Sequence, residues 1–300
     1  MSRVFSIHPL TPDLVAQFAR FSFKWQRPTL RETCVQGSTV ALAASLQGRP
    51  VGLVVGRRRL PFPLGVIDSI YVASSVRNRG FGTRLLAAAE EGLVQKGCTA
   101  LEIVYRKDGD GTPALERVLE NRRWSRSEQH SVIDKYELKQ APGWVQRLSF
   151  RGADKALPWK SLSKEQLEEV RRGEDVWYPA SVSPFQNHLA DADPDFSFWF
   201  ESRGQIQGWI VCVRLAEDTA SVERFFVAEE LQNTGRAVPL LAEAIKAMLK
   251  NGVRFASSKI SSNPEYANPA LLRFYRKHLQ PLSIISVEYL QAVKHLEKWG

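Results

Sequence analysis

The sequence is poor in residues that cross-link or bind metals: three cysteines, five histidines and two methionines in 300 residues. Cys34, Cys98 and Cys212 lie far apart and are odd in number, so no disulfide framework is expected. They read as small buried hydrophobes in a reducing compartment, and a cytoplasmic location is expected. The histidines form no pair at ligand spacing, which argues against a metal site. No apolar run approaches the roughly 18 residues of a membrane span. The opening MSRVFSIHPLTPDLV lacks the continuous apolar stretch of a signal peptide. Acid is the scarcer charge, with 32 Asp and Glu against 41 Lys and Arg, a net +9. The basic clusters at Arg57–Arg59, Arg122-Arg123 and Arg171-Arg172 form no long stripe with interleaved aromatics. They read as solvated faces, and nucleic-acid binding is not expected.

What is present suits two globular domains. The chain is 44 % hydrophobic and 24 % charged, and its length allows two domains of about 150 residues. Val4–Ile7 reads as a strand, followed by a helical stretch opening at Thr11-Pro12-Asp13. Val40–Leu46 and Val51–Arg57 read as a hairpin, and Val66–Val72 as a third strand. From Thr83 to Gln95, Leu85, Leu86, Ala89 and Leu93 share one helical face, and Gly97 stops the helix. A buried strand Ala100–Tyr105, a helix Pro113–Asn121 and a closing strand Ser131–Leu138 complete this half. Gln140-Ala141-Pro142-Gly143 reads as a linker, dividing the chain into 1–140 and 145–300.

The second half repeats the first. Ser163–Arg172 is helical, Phe196–Glu201 and Ile206–Arg214 form a hairpin, and Ser221–Val227 is the third strand. Val72–Gly97 aligns without gaps onto Val227–Gly252 at an offset of 155 residues. The identities include Val72/Val227, Asn78/Asn233, Gly80/Gly235, Leu85/Leu240, Leu86/Leu241, Ala89/Ala244 and Gly97/Gly252. About two matches are expected by chance at average composition. A period this long indicates duplicated domains, because solenoid repeats run about 20–50 residues.

The stretch Arg77-Asn78-Arg79-Gly80-Phe81-Gly82-Thr83 joins the third strand to the helix. A helix start leaves unpaired N–H groups and the positive end of the dipole, which together favour a phosphate. Gly80 and Gly82 permit close approach of a ligand to the backbone, or a positive φ. Taken alone, such a glycine pair is either a phosphate site or a tight turn. The spacing is not G-x-G-x-x-G and the preceding strand follows a hairpin, which excludes a dinucleotide fold.

Ile70-Tyr71-Val72, four further residues, then Arg77-x-x-Gly80-x-Gly82 and Leu85-Leu86 resemble the acyl-coenzyme A loop of the GCN5-related N-acetyltransferases. That family's loop reads Gln/Arg-x-x-Gly-x-Gly/Ala, and Gln232-Asn233-Thr234-Gly235-Arg236-Ala237 obeys it too. The resemblance implies an α/β fold with a mixed sheet, in two tandem acyltransferase domains. It implies an N-acetyltransferase using acetyl-CoA as donor, without metal, that transfers acyl groups other than aminoacyl groups. The alternative is a catalytically inactive acyl-CoA sensor or structural protein.

By the same resemblance, Asn78–Thr83 would hold the pyrophosphate, with charge from Arg77 and Arg79. Ile70, Tyr71 and Val72 would pair with the pantetheine, Val72 nearest the thioester. Asp68 and its counterpart Glu223 stand at a familiar position for the base, and even spacing puts Asp68 on the face of Val72. Tyr275, in Asn268-Pro269-Ala270-Leu271-Leu272-Arg273-Phe274-Tyr275, would be the acid, whereas the first half has Leu119 there. The halves thus divide the family's features, and the active half is left open. So is the acceptor, among small amines, peptide N-termini, lysine side chains and aminoacyl groups. Oligomeric state is not legible.

Overall fold

A computed structural model describes residues 4–185, 192–262 and 269–296. The first elements are β1 (Phe5–Pro9), α1 (Val15–Phe18), α2 (Leu30–Thr33), β2 (Thr39–Leu46), β3 (Arg49–Arg59) and β4 (Leu64–Val72). Next come α3 (Phe81–Gln95), β5 (Ala100–Arg106), α4 (Thr112–Asn121) and β6 (Glu128–Glu137). Then follow α5 (Trp144–Arg147), β7 (Asp154–Pro158), α6 (Lys164–Arg172), β8 (Phe198–Ser202) and β9 (Gln205–Ala216). The chain ends with β10 (Thr219–Val227), α7 (Ala237–Lys250), β11 (Phe255–Ser261), α8 (Pro269–Phe274) and β12 (Ser283–His295). Among the described residues, no helix is long and apolar enough to cross a membrane.

Local chemistry accounts for the elements. The β2–β3 turn puts Gln47 and Gly48 at φ 52° and 73°, and the β8–β9 turn puts Arg203 and Gly204 at 53° and 79°. Two successive left-handed residues match the twist of a tight hairpin. Helix α6 is held by a capping box between Ser163 and Gln166. Helix α3 buries Leu85, Leu86, Ala89 and Leu93, and α7 buries Leu240, Leu241, Ala244 and Met248. In each unit these residues cover one face of the sheet. The other face packs on Phe18, Phe21 and Leu30 in the first unit and on Val170 and Tyr178 in the second.

The chain divides into two compact units, one of residues up to His130 together with those from Glu288 onward, the other Ser131–Val287. The first carries the strand order β1-β2-β3-β4-β5-β12 and the second β7-β8-β9-β10-β11-β6. Neighbours are antiparallel except β4–β5 and β10–β11, which are parallel. This is the α/β arrangement on a mixed sheet that the sequence implies. The units differ from a linear division at residues 140 and 145. The strand expected to close the first half pairs with β11, Ser131 facing Ser261 and Glu137 facing Phe255. The first unit is closed instead by the C-terminal strand, with Tyr289 facing Arg106 and His295 facing Ala100. The sequence expectation includes the strand at Ser131–Leu138 but not the parallel pair it joins, and it does not include the C-terminal strand.

A buried charge cluster holds that C-terminal strand in place. Glu90 of α3 accepts from Trp124 Nε1 at 2.8 Å, Arg122 at 2.6 Å and Lys294 of β12 at 2.7 Å. Removing one partner of a buried ion pair leaves charge without compensation, at a cost of about 3 kcal/mol or more. Glu90→Ala is therefore expected to lower the free energy of urea unfolding of the full chain by that order. A change within the noise of the titration would show that β12 is retained by other contacts.

Candidate active site

Two features of β4 shape the region around its C-terminal end. Pairing with β5 runs from Leu64–Ala100 to Ile67–Ile103 and then stops, so the strands part. At the same level, the register with β3 passes from Ser69–Val55 directly to Ile67–Gly56, leaving Asp68 as the extra residue of a β-bulge. The bulge breaks the alternation on which the shared face of Asp68 and Val72 depended. Ile67, Ile70 and Val72 pack toward α3, whereas Asp68 meets Arg57 on the other side. The second unit repeats both features. Strands β10 and β11 pair from Thr219–Phe255 to Val222–Ser258, and Glu223 is the extra residue between Val222–Cys212 and Arg224–Val211.

Beyond Val72 the chain turns through the loop. Asn78 and Gly80 are left-handed, at φ 61° and 76°, as are Asn233 and Gly235 at 65° and 82°. Arg77 spends its Nε on the Val72 carbonyl at 3.0 Å, and Gln232 Nε2 does the same to Val227 at 2.9 Å. The first position of the motif thus fastens the loop to the strand end. The first helical bond is Arg84 N–H to the Gly80 carbonyl. Among the described residues, no backbone hydrogen bond is donated by Asn78, Arg79, Gly80, Phe81, Gly82 or Thr83. Six consecutive N–H groups at a helix start form an anion-binding concavity. In the second loop Thr234 donates to Leu231 and Val238 to Gly235, which leaves fewer free donors. Arg236 is also drawn into an ion pair with Asp154 at 2.7 Å.

The first loop opens on a cleft of about 580 Å³. Its lining includes Ile70, Tyr71, Val72, Arg77, Asn78, Gly80, Phe81, Gly82 and Thr83, the expected cofactor residues except the exposed Arg79. The opposite wall is α4, through Ala114, Leu115, Arg117, Val118 and Asn121, which sequence reasoning missed. Their signal was the amphipathic spacing of a short helix, which reads as ordinary core. The second unit has its own cleft of about 800 Å³, between Phe225–Val227, the loop Gln232–Val238 and α8.

The three expected catalytic side chains differ in setting. The Asp68 carboxylate receives Arg57 Nε on both oxygens, at 3.2 and 3.1 Å, and its side chain is 16 % exposed. Burial pushes its carboxyl above the ordinary 3.8; Arg57 opposes the shift and Glu102 adds to it. Glu223 is exposed on the opened segment of β10. Tyr275 is buried, donates its hydroxyl to Asp134, and does not line the second cleft. Burial and then the Asp134 carboxylate push its phenol upward. Tyr136 and Ser283 donate to the same carboxylate, at 3.3 and 3.0 Å. In the first unit Leu119 and Ala292 fill the corresponding places, both buried in the core. Asn268 lies outside the described residues. The aromatics Trp177 and Tyr178 pack with Trp209 and Phe226, while Trp25 is exposed. Among the described residues, no group of three or more His, Cys, Asp or Glu side chains could hold a metal ion.

A family model for the acetyltransferase (GNAT) family matches residues 11–116 and again 159–279. No curated protein matches the chain in sequence. A solved GCN5-related N-acetyltransferase from Sphaerobacter thermophilus is 17 % identical with a TM-score of 0.68, over 97 % of this chain and 95 % of that one. A tandem GNAT protein from the clavulanic acid biosynthesis pathway is 13 % identical with a TM-score of 0.67, over 97 % and 98 %. A GCN5-related glucosamine N-acetyltransferase region of a fungal multi-domain beta-N-acetylglucosaminidase is 14 % identical with a TM-score of 0.72. This last match covers 97 % of this chain, which spans 38 % of that protein's length. At such identities the likeness is one of fold, and it extends across both units.

The two loop glycines separate into different roles. Gly80 holds a left-handed φ, which costs another residue about 1 kcal/mol. A Cβ on Gly82 would meet Val118 Cγ2 at 3.6 Å and Val72 Cγ2 at 3.9 Å, ordinary contacts. Gly80→Ala is expected to lose about 1 kcal/mol in urea unfolding, and Gly82→Ala to lose nothing. Equal losses would contradict the assignment.

Proposed function

The chain belongs to the acetyltransferase (GNAT) family, and from that premise we propose that its first unit transfers an acetyl group from acetyl-CoA to an amine by direct attack. The observation that carries the reading is the run of six unpartnered N–H groups from Asn78 to Thr83, at the mouth of the cleft. A pyrophosphate there takes the open donors and the positive end of α3. Because the loop follows Val72, the pantetheine runs from it back along Ile70–Val72. In this reading Val72 lies at the pyrophosphate end, not nearest the thioester as the resemblance implied, and the thioester falls at the closed end of the gap, beside the bulge.

In this reading Asp68 is the base. The amine nitrogen attacks the thioester carbonyl carbon, its proton passes to the Asp68 carboxylate, and the C–S bond breaks. The sulfur departs as thiolate, which a thiol pKa near 8.5 allows without a proton donor. Leu119 is then no obstacle to turnover. A second reading, acyl-CoA held without turnover, is favoured by the same Leu119 and by the apolar Ala292 beside it. Thiol release with any amine from a panel decides against it.

Two outcomes are expected. Gly82→Glu places a carboxylate at the phosphate and should abolish calorimetric binding of acetyl-CoA to the full chain, while Ala237→Glu should leave the first site's affinity unchanged. The converse pattern would move the cofactor to the second unit. Asp68→Asn should slow turnover about 100-fold or more without loss of stability. The sign follows from linkage: a carboxyl raised in the folded state binds protons more readily there than in the unfolded chain. Asp68 therefore costs stability as pH rises through its folded value, and removing its charge relieves that cost at neutral pH. Turnover per substrate should fall as pH drops through the same value. A destabilised Asp68→Asn with unchanged rate would make Asp68 structural.

A further inference from the structure

Beside the cleft of the second unit lies a smaller pocket of about 70 Å³, on the face of the sheet that α7 covers. Cleft and pocket follow one another along two elements. On α7 the cleft touches Ala237, Val238 and Leu241, and the pocket touches Leu241, Ala244, Ile245 and Met248. On β10 the cleft touches Phe225 and Val227, and the pocket touches Val222. Val222 pairs with Ser258, the last pair before β10 and β11 part. The pocket therefore continues the cleft past the closed end of the gap, away from the loop Gln232–Ala237.

The polar side chains among the lining residues are already engaged. Tyr136 donates to Asp134 and shares a hydrogen bond with Ser258. Ser257 donates to the Ala220 carbonyl, and Glu137 receives Arg254 and Gln140. A pocket whose polar groups are satisfied has little hold on water and takes apolar matter. The duplication shows how the space arises. Leu64–Ala100 and Ile67–Ile103 in the first unit correspond to Thr219–Phe255 and Val222–Ser258 in the second, each strand at the offset of 155 residues. Leu101 and Ile103, buried in the first core, thus correspond to Ala256 and Ser258, which line the pocket. Ile67 corresponds to the smaller Val222, and Gly65 to Ala220. Shortened side chains in a core cost stability unless something else fills the volume.

We propose that the second unit binds an acyl-CoA whose aliphatic acyl chain is longer than acetyl, with the chain seated in this pocket. The phosphates take the loop Gln232–Ala237, the pantetheine runs back along Val227 and Phe225, and the chain ends among Val222, Ala256 and Ser258. A cavity of about 150 Å³ holds one benzene ring, so this one holds roughly three carbons, the tail of a butanoyl group. The second loop has fewer free N–H donors than the first, and Arg236 is held by Asp154, so the phosphates alone are gripped less firmly. Burial of the chain offsets this, at about four-fold in affinity per methylene. Acetyl is too short to gain from it. Seating of the chain does not depend on acetyl transfer by the first unit.

The test is calorimetry on the full chain carrying Gly82→Glu, which blocks the first cleft, with acetyl-CoA and butanoyl-CoA as ligands. Butanoyl-CoA is expected to bind about ten-fold more tightly than acetyl-CoA. Ser258→Ile, which installs the residue of the first unit, and Ala256→Val should each remove most of that advantage. Urea unfolding identifies a filling that disturbs the fold, and the other then decides. Equal binding of the two thioesters, binding of neither, or an advantage that survives filling would overturn the proposal. So would butanoyl-CoA binding that persists after Ala237→Glu is added, because it would lie outside the second cleft. Failure of Gly82→Glu to weaken acetyl-CoA binding would instead contradict the first-unit reading, and the comparison of the two thioesters would still stand.

Discussion

A β-strand that leaves its parallel neighbour exposes backbone groups that the sheet no longer satisfies. Strand β4 does this after Ile67 and β10 after Val222. Each departure coincides with a bulge, at Asp68 and at Glu223, whose added twist turns the strand away from its partner. The consequences accumulate at one place. The opened edge can take an extended ligand, the loop beyond it leaves six N–H groups without backbone acceptors, and the bulge sets Asp68 against Arg57 on the face away from α3. Without the parting of the strands, the loop would be a tight turn and Asp68 a residue in a continuous ladder.

The duplication shows which parts of this arrangement are constrained. The left-handed pair Asn–Gly, the side chain tying the loop to the strand carbonyl, and the bulge recur in both units. Other positions have diverged. Phe5 stacks on Phe81 at 4.2 Å, where the second unit has the Asp154–Arg236 ion pair. The Leu119 and Ala292 positions are apolar together, and their counterparts Tyr275 and Asp134 are polar together. A buried phenol without its acceptor, or a buried carboxylate without its donors, would be costly, so such sites change in pairs. The first unit has the longer run of loop N–H groups without backbone acceptors and the more buried carboxylate, and it lacks the phenol.

Much of this was legible in the residues. Helix faces, hairpin turns and the loop spacing follow from local periodicity and from the few residues that tolerate positive φ. The offset of 155 residues carried the duplication, and it matches the bulges and strand partings residue for residue. Three features were not legible. The C-terminal strand is absent from the sequence expectation, and only packing decides which parallel pair it and the strand beginning near Ser131 join. The bulge at Asp68 reverses a face assignment that strict alternation gives. The polar neighbours of Asp68, Arg57 and Glu102, come from two other strands with no motif to announce them. Tyr275 fits a spacing pattern, yet its hydroxyl is committed to Asp134 rather than to the cleft.

The central claim is that the backbone from Asn78 to Thr83 holds the phosphates of the cofactor. Amide hydrogen exchange on the full chain, with and without acetyl-CoA, reads those N–H groups directly. Protection on binding should appear at Asn78–Thr83 and along Ile70–Val72, and be weaker at Asn233–Ala237. Binding of acetyl-CoA with unchanged exchange across Asn78–Thr83 would contradict the account.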